Sequence, residues 1–311
     1  MSKESTISAT FLGYIALAMW ASSGVLASSV IRIPTFEVLS IAFSISFGFT
    51  AILLTAKGQW YKVKQPLILW VIGMIGVYGN DALFIAAFKY APAAQADLIN
   101  YLYPVLIIIF ASFLPSEKFS WKYILAAFLG FSGTYLIVTG GHNFAGFHSQ
   151  YIYGYLLALL DAIVWSAYCL VARHYKSTPS EMVGMYCGCG LILSLIAHFN
   201  FEPTIIPSGN EIIVMIIMGL TTQGSAYFLW DYGIKKGNFK FLSIISYTNP
   251  IIAVFLLVMT GRTNYSNVLL VSTFLIATGG AIAGLDLTSL TKTLSLFIQR
   301  LSGYVPRERH D

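Results

Sequence analysis

"INYLYPVLIIIF" (residues 99–110) sets an asparagine, two tyrosines and a proline at the head of a run of plain hydrocarbon. Asn100 demands hydrogen-bond partners, and Pro104 has no backbone N–H to give. Lipid tolerates neither consequence, whereas a protein-lined cavity tolerates both. The stretch also has a second copy. "INYLYPVLI" (99–107) aligns with "ISYTNPIIA" (245–253), matching Ile99 to Ile245, Tyr101 to Tyr247 and Pro104 to Pro250 at a shift of 146. At that shift "FLGFSG" (128–133) falls on "FLIATG" (274–279), and one residue off it "WASSGVLA" (20–27) sits over "WSAYCLVA" (165–172). The chain reads as a duplication.

Composition names the solvent. Of 311 residues, 57% are hydrophobic and 10% charged. A soluble domain usually carries about twice that share of charge, and a water-soluble fold of this length cannot hide so much apolar surface. The chain is therefore expected to be an all-α polytopic membrane protein. Its net charge of +5 then reports topology and not nucleic acid. Cys169, Cys187 and Cys189 all lie in apolar segments, and their odd number without paired spacing argues against disulfides or zinc. The five histidines are scattered. No P-loop is present to couple the chain to ATP. Neither a metal nor another cofactor is expected. At the N-terminus "MSKESTISAT" leads into an apolar run too long for a cleaved signal peptide, so it reads as a permanent span.

About 20 apolar residues cross a bilayer core as a helix, which places spans near 10–31, 36–55, 66–88, 93–114, 121–139, 152–173, 179–198, 210–234, 240–260 and 266–285. With the N-terminus inside, fifteen of the Lys and Arg residues fall on the cytoplasmic side, and only Arg32, Lys89 and Arg262 fall outside. That bias is strongly positive-inside and puts both termini in the cytoplasm. Ten spans in two halves give five each. An odd number forces the second half to enter the membrane upside down, the inverted repeat of secondary transporters. The organisation expected is a first repeat over 1–140, a second over 150–286 and a basic tail over 287–311. In the tail Leu290, Leu294, Phe297, Ile298 and Leu301 fall at helical spacing, which suits a helix on the inner leaflet as well as it suits a disordered tail.

Pro104 and Pro250 lie near the middle of the fourth and ninth spans and are candidate hinges. Asp97, Asn100, Tyr101 and Pro104 share one helical face, and Ser243, Ser246, Tyr247 and Pro250 repeat it. A polar face inside a bundle is either glue between helices or a substrate path. Asp161 near the middle of the sixth span, and Asp81 beside Asn80 in the third, are candidates to hold a substrate amine or carry a proton. The structural alternative is pairing with backbone or tyrosine hydroxyls. Asp231 is placed to pair with Lys235 one turn on. Trp20, Tyr78, Tyr101, Tyr103, Trp165, Tyr168, Tyr227, Trp230 and Tyr247 lie too deep for an interfacial belt and suit a cavity for a flat apolar or cationic ligand. Gly184 with Gly188, and Gly280 with Gly284, are spaced for close helix approach.

Four blocks in order, "INYLYP" (99–104), "WSAYC" (165–169), "AYFLWDYGIKKGN" (226–238) and "ISYTNP" (245–250), resemble the drug/metabolite transporter superfamily, the ten-span group built of duplicated EamA units. The similarity covers roughly 10–285 and not the tail. It implies ten helices around a central cavity that opens alternately to either side of an inner membrane, with export of aromatic amino acids or related metabolites. Carried over by motif, Trp20, Asn100, Tyr101, Trp165, Tyr168, Trp230 and Tyr247 line or border the cavity. Asp161 and Asp231 stand where such relatives carry Gly and Asn, and Tyr103 replaces a Trp. The expected partners are a small-molecule substrate and the lipid bilayer, with proton coupling open and no nucleic acid. Transport of drugs, cations or nucleotide-linked metabolites is an alternative. An intramembrane enzyme using Asp81 and Asp161 is another, but it lacks the clustered His that such chemistry wants.

Overall fold

The computed structural model describes residues 3–111, 121–142, 148–175, 177–238, 242 and 245–284; the tail from 287 lies outside the described residues. Regular structure among the described residues is helical throughout. The first half holds α1 (Lys3–Trp20), α2 (Ser23–Ser29), α3 (Thr35–Ala56), α4 (Leu67–Gly73), α5 (Asn80–Tyr90), α6 (Ala93–Asn100), α7 (Tyr103–Ala111) and α8 (Trp121–Thr139). The second half holds α9 (Ile152–His174), α10 (Glu181–Phe201), α11 (Gly209–Leu220), α12 (Ala226–Lys236), α13 (Asn249–Met259) and α14 (Asn267–Gly284). Six stretches are long and apolar enough to cross a membrane: Ile7–Ser29, Thr35–Ala56, Leu67–Tyr90, Ser149–Ala172, Glu181–Phe201 and Gly209–Lys236. Shorter apolar helices add to them. Large apolar side chains such as Phe128, Phe199 and Phe255 are exposed on the outside while Asp97, Asp161 and Asn249 are buried. That inside-out distribution is what lipid as solvent selects.

The interval of 146 organises the helices as well as the sequence. Thr35 and Glu181, Asn80 and Ala226, Tyr103 and Asn249, and Trp121 and Asn267 open corresponding helices, each pair 146 residues apart. The packing follows suit. α1 lies on α12 and α9 on α5, while α8 lies on α14 and α3 on α10. Exchanging the halves converts the first pair into the second and leaves the last two unchanged. Small residues set these contacts. A Cβ on Gly133 would lie 2.7 Å from the Ser272 carbonyl oxygen, and one on Gly279 would lie 2.8 Å from that of Ala126. Gly184 and Gly188 bring α10 against Thr50 and Phe47 of α3, the close approach their spacing predicted.

Several spans are discontinuous. α1 stops at Trp20 and resumes at Ser23; α6 ends at Asn100 and α7 starts at Tyr103; Tyr247 and Thr248 form a turn before α13. The two prolines therefore sit differently from the mid-helix kink expected of them. Pro104 and Pro250 are each the second residue of a new helix, where the N–H they lack would be an orphan in any case. Ahead of each break the last turn tightens, with Leu102 N–H donating to Ile99 O (3.1 Å) and Thr248 N–H to Ile245 O (3.0 Å). Two π turns complete the irregularities, Met74–Gly79 between α4 and α5, and Thr221–Ser225 between α11 and α12.

Candidate functional site

The irregular points converge. A central cavity is walled by Trp20 and Ser23 at the first break, and by Asn100, Tyr101 and Tyr103 at the second. Asn249 at the third, Asn80 and Asp81 after one π turn, and Thr222 and Gln223 within the other complete its polar wall. Broken and π-wound backbone frees carbonyls that must be paired, and side chains do this here. Trp20 Nε1 donates to Thr222 O (2.9 Å), Asn249 Nδ2 to Leu17 O (3.1 Å) and Ser23 Oγ to Trp20 O (2.6 Å). The first two of these bonds tie the two halves of the chain together.

Asp161, fully buried on α9, anchors the wall. Asn100 Nδ2 donates to its Oδ2 (2.5 Å), and Asn80 Nδ2 donates to its Oδ1. Tyr227 Oη lies 3.0 Å from Asp81 Oδ1 and 3.1 Å from Asn80 Oδ1, so its single proton is shared between them. Asp81 and Tyr227 are 146 residues apart, so these are corresponding positions of the two halves, meeting at the centre. Around the network stand three rings in mutual edge contact, Trp20–Trp165 at 5.5 Å, Trp20–Tyr227 at 5.3 Å and Trp165–Tyr227 at 5.6 Å. Such packing fixes ring orientation and leaves π faces for a ligand. Wall, acids and rings suit a flat amphipathic solute with a polar head.

Of the residues singled out in the sequence, Trp20, Asp81, Asn100, Tyr101, Tyr103, Asp161, Trp165 and Tyr227 line this cavity. The other four lie behind it. Trp230 packs edge-on to Trp20 (5.6 Å), Tyr78 leans on Phe43 (6.1 Å) and Tyr247 lies against Gly280. Tyr168 tilts against Trp165 (5.6 Å) and borders a second, smaller cavity with Met182, Val183, Tyr186, Asp231 and Lys235. There Lys235 Nζ donates to Asp231 Oδ2 (2.7 Å), as their spacing predicted, and to Thr178 O (2.6 Å), while Ser180 Oγ also donates to Asp231. Lys62, between two spans, donates from Nζ to Glu181 Oε1 (2.5 Å) at the head of α10, and this bond raises the Lys62 pKa above its ordinary value.

The sequence reading left Ser23, Phe84, Ile85, Met218, Thr222, Gln223 and Asn249 out of the lining, and named Asn80 only as a neighbour of Asp81. Asn249 carried a signal, since it corresponds at 146 residues to Tyr103. Thr222 and Gln223 carried none, because a π turn leaves no mark on apolar periodicity. Among the described residues no group of His, Cys, Asp and Glu side chains is arranged to hold a metal ion.

An apolar multi-helix bundle with a polar, aromatic-walled central cavity is the architecture of a multi-pass membrane protein with a solute site, and the comparisons give its class. The EamA-like transporter family model matches twice, over residues 7–139 and 152–285. The chain belongs to the EamA-like transporter family and is a transporter, not an enzyme. It is 33% identical over 279 residues to the aromatic amino acid exporter YddG of Ancylobacter novellus, covering 89% of this chain and 97% of that one. It is 24% identical to the aromatic amino acid exporter YddG of Escherichia coli, over 79% and 86% of the two chains. A solved crystal structure at 32% identity superposes with a TM-score of 0.73, covering 93% of this chain and 99% of that one.

Proposed function

We propose that this protein is a secondary transporter that exports a small amphipathic metabolite, an aromatic amino acid or a close relative of one, by alternating access. The observation that carries the reading is the central cavity itself. Both halves wall it at their helix breaks, and an acid–amide network and a ring cluster face into it. The two relatives named as aromatic amino acid exporters support the substrate class. In this account the chain forms ten spans as two inverted five-span units, 1–140 and 150–286, in a cell inner membrane with both termini cytoplasmic. The helix starts repeating at 146 and the packing pairs that survive exchange of halves support the duplication, and five spans per half make the repeat inverted. The central cavity then opens from the outer half, and the Asp231–Lys235 cavity marks the closed cytoplasmic route. Trp165 from the first cavity packs at 5.6 Å on Tyr168 from the second. Asp161, held by Asn80 from α5 and Asn100 from α6 in the wall shared with Asp81 and Tyr227, is the group placed to exchange a proton during the cycle.

Uptake and efflux by proteoliposomes of the full chain, against a panel of amino acids and with and without a pH gradient, test the reading. Aromatic amino acids are expected to move fastest. Trp165→Ala, which removes one ring of the cluster, is expected to slow them about tenfold, the effect of losing roughly 1–1.5 kcal/mol of aromatic contact. A panel in which no member moves faster than through empty liposomes would remove the proposal. Unchanged aromatic rates in Trp165→Ala would move the site elsewhere.

A further inference from the structure

The cavity wall is chemically one-sided. Its ionisable carboxylates are Asp81 and Asp161, and its described lining residues include no Lys, Arg or His. Asp161 is already served by two amide donors. Asp81 is served on one oxygen alone; its Oδ2 has no partner in a side chain 6% exposed. A second, non-acidic observation points the same way. Gln223, on the π turn between α11 and α12, is 2% exposed, lines the same cavity, and its Oε1 has no partner either. Behind the wall both oxygens of Asp97, 1% exposed, also lack partners.

A settled buried network matches acceptors with donors, because an oxygen left unpaired forfeits its hydration without return. The group that answers these oxygens must bring donor protons, and two carboxylates in a wall without cations favour one that also brings positive charge. A primary ammonium offers three N–H donors, no acceptor and a full charge. The rings of Trp20, Trp165 and Tyr227 beside it add the faces toward which a cation is drawn. A substrate carboxylate has the opposite needs and finds no cation in this wall. From these contacts we infer that the cavity recognises its substrate by a primary ammonium seated between Asp81 Oδ2 and Gln223 Oε1, so that aromatic amines bind in preference to zwitterionic amino acids. The inference rests on the transport reading above and narrows its substrate class.

Phenethylamine, phenylalanine and 3-phenylpropanoate share one ring and chain length and differ in charge, which makes them the test set. Binding to the purified full chain is read by tryptophan fluorescence, and competition by inhibition of phenylalanine counterflow in proteoliposomes. Phenethylamine is expected to bind at least about tenfold more tightly than phenylalanine, because the carboxylate that phenylalanine adds is desolvated with no cation to meet it, and 3-phenylpropanoate, which lacks the ammonium, is expected to be weakest. Asp81→Asn should weaken phenethylamine about tenfold with no loss of 3-phenylpropanoate, Asp81→Glu should keep the amine affinity, and Gln223→Glu should raise it. Phenylalanine binding as well as phenethylamine in the wild type overturns the inference, and this comparison needs no variant to fold. Unchanged phenethylamine affinity in Asp81→Asn overturns it as well. Phenylalanine counterflow without amine competition sinks the inference and spares the transport reading. If none of the three binds or moves, both fall together.

Discussion

Asp161→Ala is expected to lower transport at least about a hundredfold while leaving a folded protein. Asp161 is the acceptor for two amides, Asn80 from α5 and Asn100 from α6, and it sits on α9. It therefore joins three helices of both halves at the cavity wall. With Asp161 ionised each of these bonds is charge-assisted, and losing such a partner costs about 1.5–3 kcal/mol at the site; two such losses translate to at least about a hundredfold. The effect on global stability is smaller. Hydrogen bonds between helices in a membrane average about 0.6 kcal/mol net, because the unfolded chain in lipid finds other partners. Asp161→Asn retains one acceptor oxygen and is expected to fall between wild type and alanine. Initial rates in proteoliposomes, beside thermal unfolding of the same preparations, separate the two effects. A wild-type rate in Asp161→Ala would take this carboxylate out of the mechanism. A collapse of folding in proportion to the rate would reduce it to a structural bond.

Gly219→Val is expected to prevent accumulation of folded protein. Gly219 lies where α11 crosses α3, and a Cβ there would fall inside contact distance of the Ala42 backbone carbonyl and against Ile45. A flexible side chain can yield to a new methyl group, but two helix backbones cannot. Overpacking of this kind costs about 1–3 kcal/mol where relief exists, and more where it does not. The crossing also sets the position of the π turn that begins at Thr221 and carries Gln223. Gly48→Val on α3 is the control, because nothing lies within 4 Å of the Cβ it would add. Expression and size-exclusion profiles should show Gly48→Val as wild type and Gly219→Val as aggregate or absent. A monodisperse Gly219→Val would mean that the α3–α11 contact is looser than described.

Much of this architecture is legible in the sequence. Lipid as solvent makes apolar runs into spans, and the duplicated "INYLYP" and "ISYTNP" mark positions that do meet the central wall through Asn100, Tyr101, Tyr103 and Asn249. The departure from straight helices is not legible there. The stripe Asp97, Asn100, Tyr101, Pro104 assumes one continuous helix. The break at Tyr101–Leu102 cuts Pro104 off from it, and within the helix ahead of the break Asn100 lines the cavity while Asp97, one turn earlier, lies against Gly24. A π turn inserts a residue and rotates the helix after it relative to the helix before it. Tyr78 lies within such a turn and leans on Phe43, whereas Asp81 just beyond it reaches the cavity. Aromatic depth has the same limit. Trp20 and Trp230 are neighbours in one ring cluster, and depth alone does not tell the ring that faces the cavity from the ring that backs it.

The central claim is that one cavity, walled by both halves, opens alternately to the two sides. Single cysteines on a background without Cys169, Cys187 and Cys189 test it directly, one at Phe84 in the central cavity and one at Val183 in the second. In sealed vesicles an impermeant thiol reagent should reach Phe84→Cys from outside in one state and from inside in the other, and Val183→Cys from inside alone. Any substrate condition that slows outside labelling of Phe84→Cys should speed inside labelling of both positions. Labelling of Phe84→Cys from one side alone, or of Val183→Cys from outside, would contradict the account.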